Sequence, residues 1–348
     1  MAADGTWPDV LTSLLRGHDL SADASQWAMN EILTGNATPV QVAAFAVALR
    51  AKGESVAELA GLADAMLANA NPIDLPREAV DVVGSGGDRA NTVNISTMAA
   101  LVAASAGAVV VKHGNRAASS RSGTADVLEE LGVRLDVPAE AQPGVLNQTG
   151  ITFLFAPQYH PALRHASSAR RELGIQTTFN FLGPLANPAR PIANAVGVAD
   201  ERIAGLVAGV LAGRGARGLV FHGSDGLDEL TTTTTSRVWL IADGEVAEQR
   251  LDPADLGVQP ARPEDLVGGE PAVNAQVVRD LVAGVRGPVR DIVAVNAAAA
   301  LLAWQGPDTG ADVAGQLARA YTQATDAIDS GAAAAKLDEW VRVSQSTR

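Results

Sequence analysis

Three short stretches combine glycine with hydroxyl, amide or charged side chains directly after apolar runs, and each could serve phosphate chemistry. The first is Gly84-Ser85-Gly86-Gly87-Asp88, followed by Asn91-Thr92-Val93-Asn94-Ile95-Ser96-Thr97. Glycines let backbone N–H groups approach an anion with no Cβ in the way. Hydroxyls, amides and the free N–H groups of a helix start complete a phosphate cradle. The spacing is neither the Walker pattern, which closes on Gly-Lys-Ser/Thr, nor the dinucleotide fingerprint. A glycine run alone reads as an ordinary strand–helix turn; Asp88 and the Thr/Asn/Ser cluster shift the reading toward phosphate.

The second stretch is Lys112-His113-Gly114-Asn115-Arg116, continued by Ser119, Ser120, Arg121 and Ser122, with Ser122 and Thr124 opening the next helix. In open α/β sheets ligands bind outside the carboxyl ends of the strands, so two such loops would face one crevice. The chain has only Lys52, Lys112 and Lys336 against 23 arginines. A lysine at a strand end then reads as a point charge for phosphate, with a solvated basic turn as the alternative. The third stretch, His222 to Leu230, carries adjacent Asp228 and Glu229. These are hard oxygen ligands, and Mg²⁺ takes one or two carboxylates plus waters and substrate phosphates. In an acidic chain a surface acidic turn is an equal alternative. The five threonines Thr231 to Thr235 read as a strand with hydrogen-bonding hydroxyls, although β-propensity explains them as well. In a fourth stretch, His160 to Arg171, Arg170 could fork a substrate carboxylate. Solvated arginines paired with Glu172 are the plainer reading there.

The elements that must position these residues follow from periodicity. Up to residue 72 the pattern is helical only: Trp27, Ile32 and Leu33, then Val42, Phe45, Ala46 and Leu49, recur at helical spacing. Thr38-Pro39-Val40-Gln41 and Ser55-Val56-Ala57-Glu58 are capping boxes, and Gly35 and Gly53 follow helix ends. Short valine-rich runs at residues 80–83 and 108–111 each precede a glycine loop and a helical pattern (96–106 and 122–131). Further strands are expected at 151–155 and 218–221, and a hairpin at 238–247 around Asp243-Gly244. Strands alternating with helices predict an α/β fold with a mainly parallel central sheet. The expected organisation is a small helical domain at residues 1–72, joined again by a partly helical segment at about 160–186, and hinged to an α/β domain at 73–348.

Composition narrows the class. Among 348 residues 47% are apolar, ample for a full-size core, and cysteine is absent, which excludes disulfides, thiolate metal sites and cysteine nucleophiles. With 26 basic and 39 acidic residues the net charge is −13, against nucleic acid or an anionic membrane as partner. The N-terminus shows no signal peptide and no apolar run is long enough for a membrane span, so the expectation is a cytoplasmic protein.

Taken together, Gly84 to Asp88, Asn94 to Thr97, Lys112 to Arg116, Arg170 to Pro188 (with Asn180-Phe181-Leu182-Gly183-Pro184-Leu185) and Leu227 to Leu230 resemble the anthranilate phosphoribosyltransferase family. The resemblance covers nearly the whole chain in order. Lys-His-Gly-Asn-Arg and Asn-Phe-Leu-Gly-Pro-Leu are its specific parts, and Ser85 stands where the family usually has threonine. It implies a helical domain hinged to an α/β domain, a homodimer through the helical domain, and transfer of a phosphoribosyl group from phosphoribosyl pyrophosphate (PRPP) to the anthranilate amine, with pyrophosphate released. By the same resemblance Gly84, Gly87, Asp88, Thr92, Asn94, Ile95, Ser96, Thr97, Lys112, His113, Gly114, Asn115, Arg116, Ala117, Ala118, Ser119, Ser120 and Thr124 surround PRPP. Ser96, Asp228 and Glu229 hold magnesium, two ions per monomer, and Lys112, His113, Asp228 and Glu229 carry the catalysis. Gly84, His113, Asn115 and Arg170 contact anthranilate, with Arg170 on its carboxylate. Two alternatives share the fold: a pyrimidine nucleoside phosphorylase, disfavoured by the Lys112 to Arg116 loop and the acidic pair, and a non-enzymatic nucleic-acid binder, disfavoured by the charge.

Overall fold

The computed structural model describes residues 5–117 and 120–347. The chain divides into two compact units: Met1–Pro72 with Pro157–Pro188, and Ile73–Ala156 with Ala189–Arg348.

The first unit is helical: α1 (Trp7–Leu15), α2 (Ala22–Leu33), α3 (Pro39–Lys52) and α4 (Val56–Ala68), joined by α9 (Ser167–Leu173), while the short α8 (Ala156–Tyr159) begins at its border. Both capping boxes form, Thr38 with Gln41 on α3 and Ser55 with Glu58 on α4. Gly61 on α4 lets α2 pack against it directly, because a Cβ there would stand 2.1 Å from the Ala22 carbonyl oxygen. Glu58 is fully buried, yet its carboxylate accepts from the Leu20 N–H at 2.9 Å and from Lys52 Nζ at 2.9 Å, so the charge is paired.

The second unit is built on a seven-stranded sheet: β1 (Val80–Gly84), β2 (Val110–Gly114), β3 (Ile151–Phe155), β4 (Ala193–Gly197), β5 (Arg217–Gly223), β6 (Ser236–Ala242) and β7 (Glu245–Leu251). The order is β3-β2-β1-β4-β5-β6-β7. β3 through β5 run parallel, and β6 and β7 add an antiparallel edge. Alternation places Val80, Val82, Ala193, Ala195, Leu219 and Phe221 on one face, in the main core. That core is closed by α5 (Ile95–Ser105), α6 (Thr124–Glu130), α7 (Gln142–Thr149), α11 (Pro271–Val282), α12 (Pro288–Gln305), α13 (Val313–Asp329) and α14 (Ala332–Ser346), while α10 (Glu201–Gly213) packs on β5 and β6. Residues Ile292 through Ala303 of α12 are all buried, and their alanines let the helix lie close against α5.

Two sequence expectations change here. β4 was not expected: its Ala-Asn-Ala-Val-Gly sequence has little intrinsic strand preference, and its pairing between β1 and β5 makes it a strand. The threonine run is not a strand but part of the loop between β5 and β6.

Candidate active site

The chain leaves β1 for β2 and β3 on one side, then returns to β4 and β5 on the other, so the order reverses between β1 and β4. A crevice opens outside the carboxyl ends of strands at such a point. The first predicted loop leaves β1 there. Gly86, Gly87, Arg89 and Asn91 hold φ of +70°, +89°, +61° and +53°. Repeated left-handed residues are a backbone pattern from which anion-binding nests are made; here the Gly86 N–H donates to Asp228 Oδ2 at 2.7 Å and the Ala90 N–H to Asp88 Oδ1 at 3.2 Å. The loop ends at Asn94, the N-cap of α5, whose first turn carries Ile95, Ser96 and Thr97. The Ile95 side chain is buried in the core, so that residue offers only its backbone.

The acidic pair arrives from the far side of the sheet. The loop after β5 folds back over the ends of β4 and β1, and glycine makes room for it. A Cβ at Gly84 would stand 2.3 Å from Asp228 Oδ2, and one at Gly197 only 1.7 Å from the Asp228 carbonyl oxygen. These two glycines are cross-strand partners. Gly197 was not singled out in the sequence because its need is set by a loop about thirty residues later. The loop is also fixed from within. Asp225 accepts from Leu227 N–H (3.2 Å) and from the hydroxyls of Thr231 (2.6 Å) and Thr233. Asn296 on α12, 2% exposed, brackets Leu230 by accepting from its N–H and donating to its C=O, both at 2.9 Å. The threonine run thus serves as an internal tie.

Asp228 and Glu229 are both 8% exposed. Burial, and after it the neighbouring Asp88, together push the Asp228 carboxyl up to about 7, against the Gly86 N–H that donates to Oδ2 at 2.7 Å. Burial likewise raises Glu229 well above the usual carboxylate range, with Asp228 adding, while Lys112 and the Ser96 N–H oppose. Lys112 lies within β2, not in a loop beyond it, and is 1% exposed. Its Nζ donates to the Val82 carbonyl and, at 3.3 Å, to Ser96 Oγ. Burial lowers it, and Asp81, Glu229 and Asp228 hold it up.

His113 follows on β2, buried, with its N–H donating to Asp81 Oδ1 at 3.1 Å. Gly114 ends the strand, and a Cβ there would stand 3.4 Å from Thr124. Beyond it the Asn115 carbonyl accepts from Ala125 N–H, and Thr97 Oγ1 donates to Thr124 Oγ1 at 3.3 Å, tying α5 to α6. The Arg116 guanidinium is engaged by Asp126 (2.9 Å) and Glu129 (2.8 Å) and lies 5.7 Å from the centre of the Phe155 ring. Asp126 also accepts from Ala117 N–H and Gly123 N–H, both at 2.9 Å, and so closes the base of the loop. Ser120 donates to the Ser122 carbonyl at 3.4 Å. Ala118 and Ser119 lie outside the described residues. Thr92 pairs with Val267 in an isolated antiparallel bridge. The structure therefore gathers Gly84, Gly87, Asp88, the start of α5, Lys112, Asp228 and Glu229 around one set of strand ends.

Arg170 belongs to the helical unit. It is half-buried on α9, with its guanidinium 5.6 Å from the centre of the Phe179 ring, and burial lowers its pKa. No ion pair with Glu172 forms among the described residues, so the expected surface pair is replaced by an aromatic contact.

Comparison with known proteins places this geometry. Residues 8–70 match the helical bundle domain of a glycosyl transferase family, and residues 76–334 its α/β domain. The chain is 59% identical over 344 residues to the anthranilate phosphoribosyltransferase of Arthrobacter sp. (strain FB24), covering 99% of this chain and 97% of the relative. The crystal structure of anthranilate phosphoribosyltransferase from Thermus thermophilus superposes with a TM-score of 0.89 at 39% identity, over 97% of this chain and all of that one. The Saccharomyces cerevisiae enzyme, solved in complex with PRPP and Mg, superposes with a TM-score of 0.82 at 26% identity, over 98% of this chain and 94% of that one. On the strength of these matches and of the strand-end geometry, the chain belongs to the anthranilate phosphoribosyltransferase family.

Proposed function

We propose that this chain transfers the phosphoribosyl group of PRPP to the amine of anthranilate, forming N-(5-phosphoribosyl)anthranilate and pyrophosphate, the second step of tryptophan biosynthesis from chorismate. The observation that carries the reading is the meeting of a glycine-rich loop with repeated left-handed residues, a buried lysine and a buried acidic pair at the ends of β1, β2 and β4.

The donor set fits magnesium. Asp228 and Glu229 are two hard, buried carboxylates whose pKa values are raised because burial and neighbouring acids oppose their charge, and Lys112 is the cation they share. A divalent ion relieves that repulsion, and magnesium needs only one or two carboxylates when substrate oxygens complete its shell. Ser96, Asp228 and Glu229 would hold it, two ions per chain being the reading carried over from the family. When bound, magnesium neutralises charge developing on the departing pyrophosphate.

The rest is done by the chain. The bond from the anomeric carbon to the pyrophosphate oxygen breaks, the amine nitrogen bonds to that carbon, and the amine gives up a proton. The amine is neutral near pH 7, so no strong base is needed before attack. Backbone N–H groups of the β1–α5 loop, Gly84, Gly87, Asp88, Thr92 and the first turn of α5 orient the phosphates, with Lys112, Gly114, Asn115, Arg116, Ala117 and Ser120 beside them. Lys112 stabilises the leaving group without moving, because it is already fixed on Val82 and Ser96. Catalysis is mainly positioning. Gly84, His113, Asn115 and Arg170 receive anthranilate. Arg170→Ala is expected to raise the anthranilate KM far more than the PRPP KM in steady-state kinetics.

We further propose a homodimer through the helical unit, where Leu15, Val40 and Val47 expose apolar surface. Among the described residues no helix is long and apolar enough to cross a membrane.

The deciding experiment mixes protein, anthranilate, PRPP and Mg²⁺ and follows anthranilate fluorescence. A decay that needs both PRPP and magnesium supports the reading. A flat trace from folded protein overturns it and directs attention to nucleoside phosphorolysis.

A further inference from the structure

Behind the β1–α5 loop lies a buried amide that the reaction as described does not use. Asn274, on the first turns of α11, is 2% exposed. Its Oδ1 accepts the Gly269 N–H at 2.7 Å, and its Nδ2 donates to Asn94 Oδ1 at 2.7 Å. Asn94 Nδ2 in turn donates to the Ser122 carbonyl at 3.1 Å. The two ends of this chain of bonds are backbone groups with one role each, an N–H at Gly269 and a C=O at Ser122. They leave only one orientation for each amide.

The consequence falls on Asn94. An asparagine at an N-cap ordinarily turns its oxygen onto the N–H groups of its own helix. Asn94 makes no such bond, because Asn274 takes the oxygen. The NH₂ of Asn94 thereby donates to the Ser122 carbonyl on the loop before α6, and among the described residues its second N–H makes no further bond. The strand-like segment that delivers Asn274 is itself stitched to the phosphate loop: Val93 N–H donates to Leu266 O at 2.9 Å, Gly268 N–H to Asn91 O at 2.8 Å, and Thr92 bridges Val267. Gly268 has no room for a side chain, since a Cβ would stand 2.7 Å from Asn274 Oδ1 and 2.9 Å from the Thr92 carbonyl oxygen.

We propose that Asn274 is a positioning residue for the pyrophosphate-bearing substrate: it holds the Asn94 amide with its NH₂ toward the phosphates and its oxygen away from them. This rests on the reading above, in which Asn94 contacts PRPP. In Asn274→Asp, one carboxylate oxygen still accepts from Gly269, while the other faces the Asn94 oxygen. The Asn94 amide can then donate to that carboxylate only by flipping, which gives up its bond to the Ser122 carbonyl and puts its oxygen where its NH₂ had been.

The test is a double-mutant cycle read by titration calorimetry of PRPP with Mg²⁺, without anthranilate. Asn274→Asp and Asn94→Ala are each expected to weaken PRPP binding by about tenfold or more, the scale of one hydrogen bond to a charged group. In the Asn94→Ala background, Asn274→Asp is expected to add almost nothing, and the anthranilate KM is expected to change by less than about twofold in either variant. Independent, multiplying effects, or unchanged PRPP binding in Asn274→Asp, overturn the proposal. Should Asn274→Asp fail to fold, the same cycle with Asn274→Ala decides, with the same dependence on Asn94. Absence of any PRPP heat from the wild type removes the function reading and this proposal together; heat in the wild type with multiplying effects removes this proposal alone.

Discussion

Two acidic clusters of the α/β unit carry their charge in opposite ways. Asp228 and Glu229 are buried, and their neighbours Asp88 and Asp228 are themselves acids, so both carboxyls are raised. Asp126 and Glu129 share Arg116 on an open helix face. Burial alone would raise Asp126, but the N–H groups of Ala117 and Gly123 and the Arg116 guanidinium outweigh it and lower it. Glu129 is lowered chiefly by its bond from Arg116. The second cluster is complete as it stands. The first is held under electrostatic tension by the backbone around it, and a tensed pair is what a cationic ligand relaxes. Both clusters are made of acids, and only their surroundings show which one is left short of positive charge.

The hardest way to break that contrast is to neutralise the first cluster without changing its shape. Asp228→Asn with Glu229→Gln is expected to lower kcat/KM by about 10³-fold or more, several kcal/mol of lost stabilisation of the leaving group. The double variant is expected to melt no lower than the parent in the absence of magnesium, since the repulsion goes too. Calorimetry and steady-state rates check both halves.

Next in size is the floor beneath the pair. Gly197→Ala drives a Cβ into the Asp228 carbonyl, which has no side-chain freedom to yield. A loss of about 10²-fold in kcat/KM is expected from a displacement of order 1 Å, with about 1–3 kcal/mol of stability lost to overpacking. Gly213→Ala, at the exposed end of α10 where a Cβ meets nothing within 4 Å, is the matched control. It is expected to leave the rate unchanged and to gain about 0.5–1 kcal/mol. Denaturant titration of both variants separates steric conflict at the site from the general effect of the substitution.

A smaller but more diagnostic effect is the pH dependence of metal stabilisation. A buried carboxyl whose folded pKa is raised from the ordinary 3.8 to about 7 favours the folded state below the ordinary value. That advantage is lost as pH rises through about 7, where the group must ionise while buried. Magnesium binds the ionised form, so the rise in melting temperature on adding Mg²⁺ is expected to be larger at pH 8 than at pH 6. The neutral double variant is expected to show no such difference. Differential scanning fluorimetry across this range reads it directly.

The least effect is expected from the exposed cluster. Glu129→Gln removes one arm of a surface ion pair, at a cost below about 1 kcal/mol that shrinks further with salt. The rate is expected to stay within about twofold of the parent. A larger loss would mean that Arg116 must stay parked on its carboxylates for the loop to work.

Much of the frame was legible in the residues. The helical start, the valine-rich strand at residues 80–83, the strand at 151–155, the Asp-Gly hairpin and both capping boxes are local signals, each satisfied by near neighbours. The fold class follows from their order. The glycine loop, Lys112 and the acidic pair were also visible as residue types able to meet phosphate and magnesium. β4 was not, because its alanines and asparagine carry no strand preference and become a strand only between β1 and β5. Lys112 was read as a loop charge, whereas its place inside β2 makes it a buried, pre-aimed one.

The sequence by itself determined where elements begin, turn and stop, and which residue types could serve the chemistry, because propensity, capping and periodicity act over a few residues. The tertiary structure alone decided what those types mean. Gly197 is indispensable only because a loop about thirty residues on crosses it. The five threonines are a tie only because Asp225 turns toward two of them. The Asn94 amide has one orientation only because Asn274, 180 residues away, takes its oxygen and the Ser122 carbonyl its NH₂. Burial, charge pairing and the direction of a hydrogen bond are properties of neighbours in space, and no local pattern records them.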